Sequence, residues 1–260
     1  AGHGVEARYP APHGLYRGAG SAAVLTRVAI PPIASAAFYR RDAGAPVVRL
    51  AGEAMGTTWR VLAASRRPAA TLREGVEAAL AGVVAEMSHW DPTSHLSRFN
   101  AAPVGTPVAI PADFATVMGA ALAVAEASGG AFDPAAGRLV DLWGFGPPGP
   151  VTEPPSDEAL HLRHPGLDPG TRFFRPVAES GTPAHVRGDI VLEGGTLTRH
   201  ADVRLDLSGI AKGFAVDAAW RALAALEVAD ALVEVGGELR GQGIRPDAQP
   251  WWVELEAPPG

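Results

Sequence analysis

Residues 203–217 constrain the fold of this chain more than any other stretch, because they predict a strand that runs directly into a helix. Apolar residues alternate with polar ones over residues 203–207, which is the period of a half-buried β-strand. Ser208 follows as a typical N-cap, because its hydroxyl can accept a hydrogen bond from one of the free amides that open a helix. Apolar residues then recur at helical spacing, so we expect a helix to run to about residue 226.

The start of this predicted helix has the features of an anion site. Free backbone amides and the positive end of the helix dipole attract a phosphate, and Gly209 and Gly213 let backbone approach a ligand closely. Lys212 is unusual there, since a cation in the first turn costs about 0.3 to 1 kcal/mol unless an anion compensates it. A bound phosphate would compensate it, and so would a local ion pair with Asp206 or Asp217, so both interpretations stay open.

Two further helices and a pair of strands are predicted upstream. Apolar residues at spacings of three and four predict an amphipathic helix over residues 71–90 and a second over residues 113–128. The methionine and aromatic positions on both apolar faces are interpreted as core. Strands are expected on either side of Gly56.

Composition limits the kind of protein this can be. The chain has 260 residues, of which 47% are hydrophobic, enough to bury a sizeable core. A net charge of −6 without a block of basic residues argues against a nucleic-acid partner. No uninterrupted apolar run reaches the length of a membrane span, about 18 residues. The absence of cysteine excludes disulfides, thiolate metal ligands and a lipid-modified cysteine within these 260 residues.

The chain divides into a lead-in and a folded body. Residues 1–45 are rich in Gly, Ala, Pro and Arg without sustained periodicity and are expected to be loosely ordered, with the domain spanning residues 46–260. A proline-rich stretch at about 160–188 is interpreted as an inserted surface loop.

Five segments, taken in order, resemble the ApbE family of FAD:protein FMN transferases and extend over residues from about 50 to 243. They are Ala-Met-Gly-Thr-Thr-Trp at 54–59, Met-Ser-His-Trp-Asp-Pro-Thr-Ser-His-Leu-Ser-Arg-Phe-Asn at 87–100, Gly-Ala-Phe-Asp-Pro at 130–134 with Leu-Trp-Gly-Phe-Gly-Pro at 142–147, the segment 203–217, and Val-Glu-Val-Gly-Gly-Glu-Leu at 233–239.

The resemblance implies a fold and an activity. The fold would be α/β (α+β), a T-fold-like architecture with mixed or antiparallel sheets flanked by helices. The implied reaction transfers FMN from FAD to a threonine hydroxyl of a target flavoprotein with Mg²⁺ and releases AMP. The implied acceptor is a subunit of an electron-transport or sodium-pumping complex.

The resemblance also implies binding residues, carried over one by one. Contacts to FAD fall on Met55, Gly56, Trp90, Ala131, Phe132, Asp133, Asp206 and Lys212, and a metal contact falls on the main-chain carbonyl of Gly209. Two of these positions, in addition to Lys212, have an ordinary structural alternative. Trp90 could belong to the core, and Asp133 could cap a local turn ahead of Pro134.

The resemblance leaves one segment of the family unmatched. Family members continue after the Gly-Gly strand through a Thr/Ser-Gly-Asp motif and a His-Ile-Asp-Pro-type loop that carry an aspartate and a threonine as metal ligands, and residues 244–260 contain neither motif. We therefore expect a member that lacks its C-terminal part, with an FAD-binding module without transferase activity as the alternative. The family implies a periplasmic or inner-membrane-associated location, although residues 22–38 are a poor match to a signal-peptide core.

Overall fold

The computed structural model describes residues 26–30, 35–156, 159, 185–187 and 189–255. The helices are α1 (Ser35–Arg40), α2 (Ala69–Met87), α3 (His95–Ala101), α4 (Ala112–Ala127), α5 (Gly137–Leu142) and α6 (Ser208–Ala225). The strands are β1 (Thr26–Ile30), β2 (Val47–Ala54), β3 (Thr57–Ala64), β4 (Val108–Ala109), β5 (His185–Arg187), β6 (Ile190–Glu193), β7 (Thr196–Arg199), β8 (Ala231–Val235), β9 (Glu238–Gln242) and β10 (Trp251–Leu255).

The central element is an antiparallel sheet with strand order β2-β3-β8-β9. Alternate residues of β3 face opposite sides of this sheet, as the period of a strand requires. Trp59, Val61 and Ala63 are almost completely buried, whereas Arg60 between them is exposed. The predicted strands on either side of Gly56 are therefore confirmed as the hairpin β2–β3.

Helices α2 and α6 pack against each other, and α6 also contacts β8 and β9. The predicted apolar face of α2 is confirmed, with Leu72, Val76, Leu80, Val83 and Met87 buried. The helix ends at Met87 rather than at Trp90, because the Ser88 hydroxyl accepts hydrogen bonds from the amides of Trp90 and Asp91. These local bonds compete with the helical pattern and turn the chain out of the helix.

A second antiparallel sheet, with strand order β4-β7-β6-β5, contacts α4. Helix α4 begins and ends within one residue of the predicted bounds, and its Phe114 and Met118 are fully buried. Of the methionine and aromatic positions interpreted as core, Met87, Phe114 and Met118 belong to one contiguous hydrophobic cluster, whereas Trp90 is exposed and does not. The α/β fold class, with antiparallel sheets flanked by helices, is confirmed.

The predicted strand over residues 203–207 is wrong. Its apolar positions are buried as the alternation requires, but the segment makes a single bridge, between Ala136 and Arg204, in place of a ladder. The side chain of Asn100 satisfies the backbone of Leu205, donating from Nδ2 to Leu205 O at 2.9 Å and accepting from Leu205 N at 2.8 Å, while Arg204 O and Asp206 N bond to the backbone of residues 137 and 134. Burial of every second residue over 203–207 therefore does not depend here on pairing with a neighbouring strand.

The expected start of α6 also needs a correction. The N-cap position belongs to Leu207, and Ser208 is the first helical residue. Asp206 performs the local capping, because its Oδ1 accepts a hydrogen bond from Ser208 N at 2.7 Å. The predicted C-terminal end of the helix is confirmed, since α6 ends at Ala225 with Leu226 as its C-cap.

Two segments expected to be irregular contain regular structure where they are described. Within residues 1–45, β1 pairs with β10 in an antiparallel ribbon, and α1 forms a short helix. Residues 1–25 and 31–34 lie outside the described residues. The domain boundary at residue 45 therefore stays a prediction. Most of the insertion predicted at about 160–188 also lies outside the described residues, except for β5, which pairs with β6.

Candidate functional site

A cavity of about 600 Å³ opens where three parts of the fold meet: the β2–β3 turn, the C-terminal end of α2 with its following loop, and the N-terminal turn of α6. Its lining is largely apolar on the α2 side and polar around the loop and α6. The lining residues are Met55, Gly56, Val84, Met87, Ser88, His89, Trp90, Asp91, Ser208, Ala211 and Lys212.

The β2–β3 turn places Met55 and Gly56 at the mouth of this cavity. Ala54 pairs with Thr57, so the turn has two central residues, and both have positive φ, 55° for Met55 and 71° for Gly56. A tight hairpin of this kind ordinarily uses Asn-Gly, because few residues with a side chain tolerate a positive φ. Met55 therefore holds a strained backbone at a position that faces the cavity.

The loop after α2 is fixed by a network of serine hydroxyls. The carbonyl of Ser88 accepts hydrogen bonds from Ser94 Oγ at 2.6 Å and Ser97 Oγ at 3.3 Å. Ser94 also caps α3 by accepting from Ser97 N at 2.9 Å. Trp90 projects from this fixed loop with 58% of its surface exposed, so it is not a core residue in this structure.

An acidic group lies at the rim beside Trp90. The side-chain hydroxyl of Thr93, helped by the Thr93 amide, lowers the pKa of Asp91 below its ordinary value by hydrogen bonding to the carboxylate. Asp91 therefore remains ionised at neutral pH.

Lys212 reaches the cavity from the first turns of α6. Its Nζ lies 3.2 Å from Glu238 Oε1 on β9, and both side chains are partly exposed. Neither partner considered from the sequence is the one observed, and Asp217 instead pairs with Arg240 at 2.7 Å. The lysine stem passes over the β8–β9 turn, where a Cβ built on Gly236 would lie 3.2 Å from Lys212 Cδ. A side chain at position 236 would clash first with Thr57, whose Cγ2 lies 2.8 Å from the same Cβ, and would also press on the lysine stem.

The central-loop residues Ala131, Phe132 and Asp133 do not line this cavity. Phe132 packs closely on the start of α6. A Cβ built on Gly209 would lie only 3.1 Å from Phe132 Cε2. Asp133 Oδ1 accepts a hydrogen bond from Ala135 N at 2.8 Å, which is the local turn that the sequence left as an alternative. The loop is joined to the α6 segment by Asp206 N, which donates to Pro134 O at 2.8 Å.

Asp206 lies behind the cavity wall, and His89 stands between the two. His89 Nδ1 is 3.5 Å from Asp206 Oδ1, and the side chains are 11% and 10% exposed. His89 lines the cavity of about 600 Å³ and also a much smaller one behind it, which Asp206 lines as well. Sequence reasoning did not select His89 as a site residue, although it lies beside Trp90 in the motif at 87–100.

A metal site is not assembled by the residues described. Among them, no group of three or more histidine, aspartate or glutamate side chains is placed to hold a metal ion. Gly209, the residue to which the resemblance assigns a metal contact, lies in the first turn of α6 beside Phe132.

Comparison with known proteins agrees with the arrangement of these segments. The model of the ApbE family matches residues 55–260, which contain every residue named above as lining the cavity. The chain belongs to the ApbE family. Two similar relatives are the FAD:protein FMN transferases of Haemophilus influenzae, 36% identical over 220 residues, and Vibrio cholerae, 33% identical over 215 residues. The alignments cover 82% and 81% of this chain, and the chain spans 59% of the length of each relative.

Solved structures of ApbE proteins share the fold. The flavin transferase ApbE from Vibrio cholerae superimposes with a TM-score of 0.69 at 31% identity, covering 80% of this chain and 62% of that one. The apo form of the Pseudomonas stutzeri flavinyl transferase ApbE also gives a TM-score of 0.69, at 30% identity, with coverage of 82% and 68%. None of the helices described in this member combines the length and the apolarity needed to cross a membrane.

Proposed function

We propose that this ApbE-family chain binds FAD in the cavity between the β2–β3 turn, the loop after α2 and the start of α6. The observation that carries the proposal is that Met55, Trp90 and Lys212, which are distant in sequence, line one cavity. A volume of about 600 Å³ lies within the range of roughly 300 to 1,000 Å³ that is typical of small-molecule sites.

The chemistry of the lining suits the two ends of a flavin dinucleotide. The exposed indole of Trp90 offers a flat surface for the isoalloxazine ring, an arrangement worth about 0.5 to 1.5 kcal/mol beyond burial. Lys212 offers positive charge and a hydrogen-bond donor to the pyrophosphate, and the positive end of the α6 dipole lies beside it. Met55 and Gly56 line the same cavity at the β2–β3 turn and add apolar surface to it.

We further propose that the bound FAD is the donor in FMN transfer, as the names of the relatives from Haemophilus influenzae and Vibrio cholerae indicate for those proteins. In this step the oxygen of an acceptor threonine forms a bond to the phosphorus on the FMN side of the pyrophosphate. The bond from that phosphorus to the bridging oxygen breaks, AMP leaves with the bridging oxygen, and the threonine proton is released. The acceptor would be a flavoprotein subunit of an electron-transport or sodium-pumping complex.

The described residues do not fit Mg²⁺ on their own. Mg²⁺ ordinarily takes one or two carboxylates together with phosphate oxygens, and no suitable cluster of acidic side chains is found in the described parts of the chain. A main-chain carbonyl at Gly209 is a single weak ligand. We therefore assign this chain the binding and orientation of FAD, and we assign no step to the metal.

The described residues contain no group of acidic side chains that could hold a metal ion, which is a specific reason to consider a second function. An FAD-binding module without transfer activity would need the cavity and Lys212 but no metal ligands. Both functions predict FAD binding, and they differ in whether an acceptor becomes covalently modified.

The deciding experiment incubates the chain with FAD, Mg²⁺ and an acceptor polypeptide that carries threonine in an acidic and apolar context. Intact-mass spectrometry would show FMN attached to the acceptor if the chain is a transferase, and AMP would appear in equal amount. The matched control replaces the acceptor threonine with valine, which keeps the shape but removes the hydroxyl. FAD binding without a modified acceptor would support the binding module, and an absence of FAD binding would contradict both functions.

A further inference from the structure

His89 occupies the wall between the large cavity and the buried carboxylate of Asp206. It lines both the large cavity and the small one behind it, and its side chain is 11% exposed. Its ring centroid lies 5.5 Å from that of Trp90, with the two ring planes at 41°. The imidazole and the indole therefore form adjacent parts of the same wall.

The position of His89 is fixed from both sides. The Ser88 hydroxyl accepts from Trp90 N at 3.2 Å and from Asp91 N at 3.3 Å, so the backbone around the histidine is held in one conformation. On the other side, Asp206 is itself held by Ser208 N at 2.7 Å and faces His89 Nδ1 at 3.5 Å. A carboxylate beside one ring nitrogen orients the imidazole and favours a proton on that nitrogen.

The second ring nitrogen has no partner among the residues that the structure describes. His89 Nε2 is buried and makes no hydrogen bond to any of the described residues. With the proton on Nδ1, a neutral imidazole presents Nε2 as an acceptor. Buried polar atoms are almost always paired, so an unpaired one on a side chain that lines the cavity is expected to gain a partner when a ligand binds.

We propose that His89 contacts the flavin end of the bound dinucleotide and that Asp206 acts as a positioning residue through His89. The inference rests on the proposed function, since it takes FAD as the ligand. The flavin end is assigned because His89 adjoins Trp90, whereas Lys212 serves the phosphates. The isoalloxazine ring carries an N–H and two carbonyls along one edge, and that N–H is a suitable donor for Nε2. Asp206, which the sequence resemblance placed in direct contact with FAD, then acts one layer behind.

Binding titrations with FAD, FMN and ADP test this assignment, because ADP lacks the flavin. His89→Ala is expected to weaken FAD and FMN binding by about tenfold and to leave ADP binding within about twofold. Asp206→Asn, which keeps an acceptor for Ser208 N, is expected to act in the same direction. The double variant should bind FAD about as weakly as His89→Ala alone, since residues that act through one another are not additive. His200→Ala is the matched control, because His200 is exposed and lies outside the cavity lining.

Each result supports or overturns the proposal. Equal losses for FAD and ADP in a folded His89→Ala variant, or additive losses in the double variant, would overturn it while leaving FAD binding by the wild-type chain intact. If His89→Ala loses binding of all three ligands because it fails to fold, Asp206→Asn decides, and an unchanged ratio of FAD to ADP affinity would overturn the pairing. A wild-type chain that binds no FAD would overturn this inference together with the proposed function.

Discussion

Among the described residues that line the cavity, Lys212 is the one that carries a permanent positive charge. Its ion pair with Glu238 is partly exposed, and such pairs contribute at most about 1 kcal/mol to stability. A phosphate that displaced Glu238 would gain a charge-assisted hydrogen bond from the same ammonium group. The ion pair therefore keeps the Lys212 ammonium group beside the cavity, and breaking it should cost little when a phosphate binds.

Lys212→Ala is expected to weaken FAD binding by about 1 to 2 kcal/mol, or roughly tenfold in Kd, with little change in the free energy of unfolding. Fluorescence titration of FAD measures the affinity. Arg240→Ala is the matched control, because Arg240 pairs with Asp217 across the same two elements but does not line the cavity. Equal FAD affinity in Lys212→Ala and the wild type would return the lysine to a purely structural role.

Met55 tests whether turn strain serves ligand binding. Met55→Asn puts asparagine, which tolerates a positive φ, at this turn position, and relief of backbone strain should stabilise the fold by about 1 kcal/mol. The same substitution removes part of the packing that Met55 makes with the core. The two effects oppose each other, so the free energy of unfolding should change by less than about 1 kcal/mol. FAD affinity should fall, because an apolar edge of the cavity is removed. Urea unfolding and FAD titration of the variant and the wild type measure the two effects. An unchanged FAD affinity would refute the expectation.

The long helices α2, α4 and α6 were predictable from the sequence to within a few residues, whereas the short helices α1, α3 and α5 and the segment before α6 were not. The apolar faces of α2 and α4 repeat locally, so the pattern itself contains the information. Residues 203–207 have the burial pattern of a strand, yet Asn100 satisfies the backbone of Leu205, and no local signal identifies a partner about a hundred residues away. Strand β1 was missed for the same reason, because its partner is β10.

Helix α4 depends on a residue of α2 for its cap. Its N-cap residue is Pro111, which makes no side-chain hydrogen bond, and Glu86 Oε2 instead accepts from Phe114 N at 3.0 Å. Burial raises the pKa of Glu86 above its ordinary value, even though the hydrogen bond from Phe114 opposes the shift. A carboxyl whose pKa is raised by folding contributes stability that is present at low pH and is lost as the pH rises through the folded-state pKa.

Glu86→Gln should remove this pH dependence, because an amide keeps an acceptor for Phe114 N but does not ionise. The stability of the wild type relative to the variant should be greatest below about pH 4 and should decrease as the pH rises toward 7. Chemical unfolding at pH 4 and pH 7 measures the difference. Glu77→Gln is the control, since Glu77 is half exposed on the same helix. A relative stability that increased with pH would contradict the assigned direction.

At the scale of the whole molecule, the resemblance selected some residues that line the cavity and others that do not, since Ala131, Phe132, Asp133 and Asp206 lie outside its lining. The cavity lining includes Met55, Gly56, Trp90 and Lys212, which the resemblance had selected. The partners Glu238 and His89 were not selected, because each comes from a different element and contacts its partner only after folding. Local motifs identify the elements around a site, whereas pairs across elements require the tertiary structure.

Removal of divalent metal ions should have little effect on FAD binding by this chain. The described residues supply no cluster of acidic side chains for a metal, so the affinity should depend on Trp90, Lys212 and the start of α6. Titration of FAD with Mg²⁺ or with EDTA should give Kd values within about twofold. A tenfold loss in EDTA that Mg²⁺ restores would indicate metal ligands beyond those considered.

A crystal structure of this chain with FAD tests the central claim most directly. The account predicts the isoalloxazine ring against Trp90 and the pyrophosphate within hydrogen-bonding distance of Lys212 Nζ, in the cavity between the β2–β3 turn and α6. Flavin density at another place, such as the groove between the outer face of the central sheet and β10, with this cavity empty at saturating FAD, would contradict it.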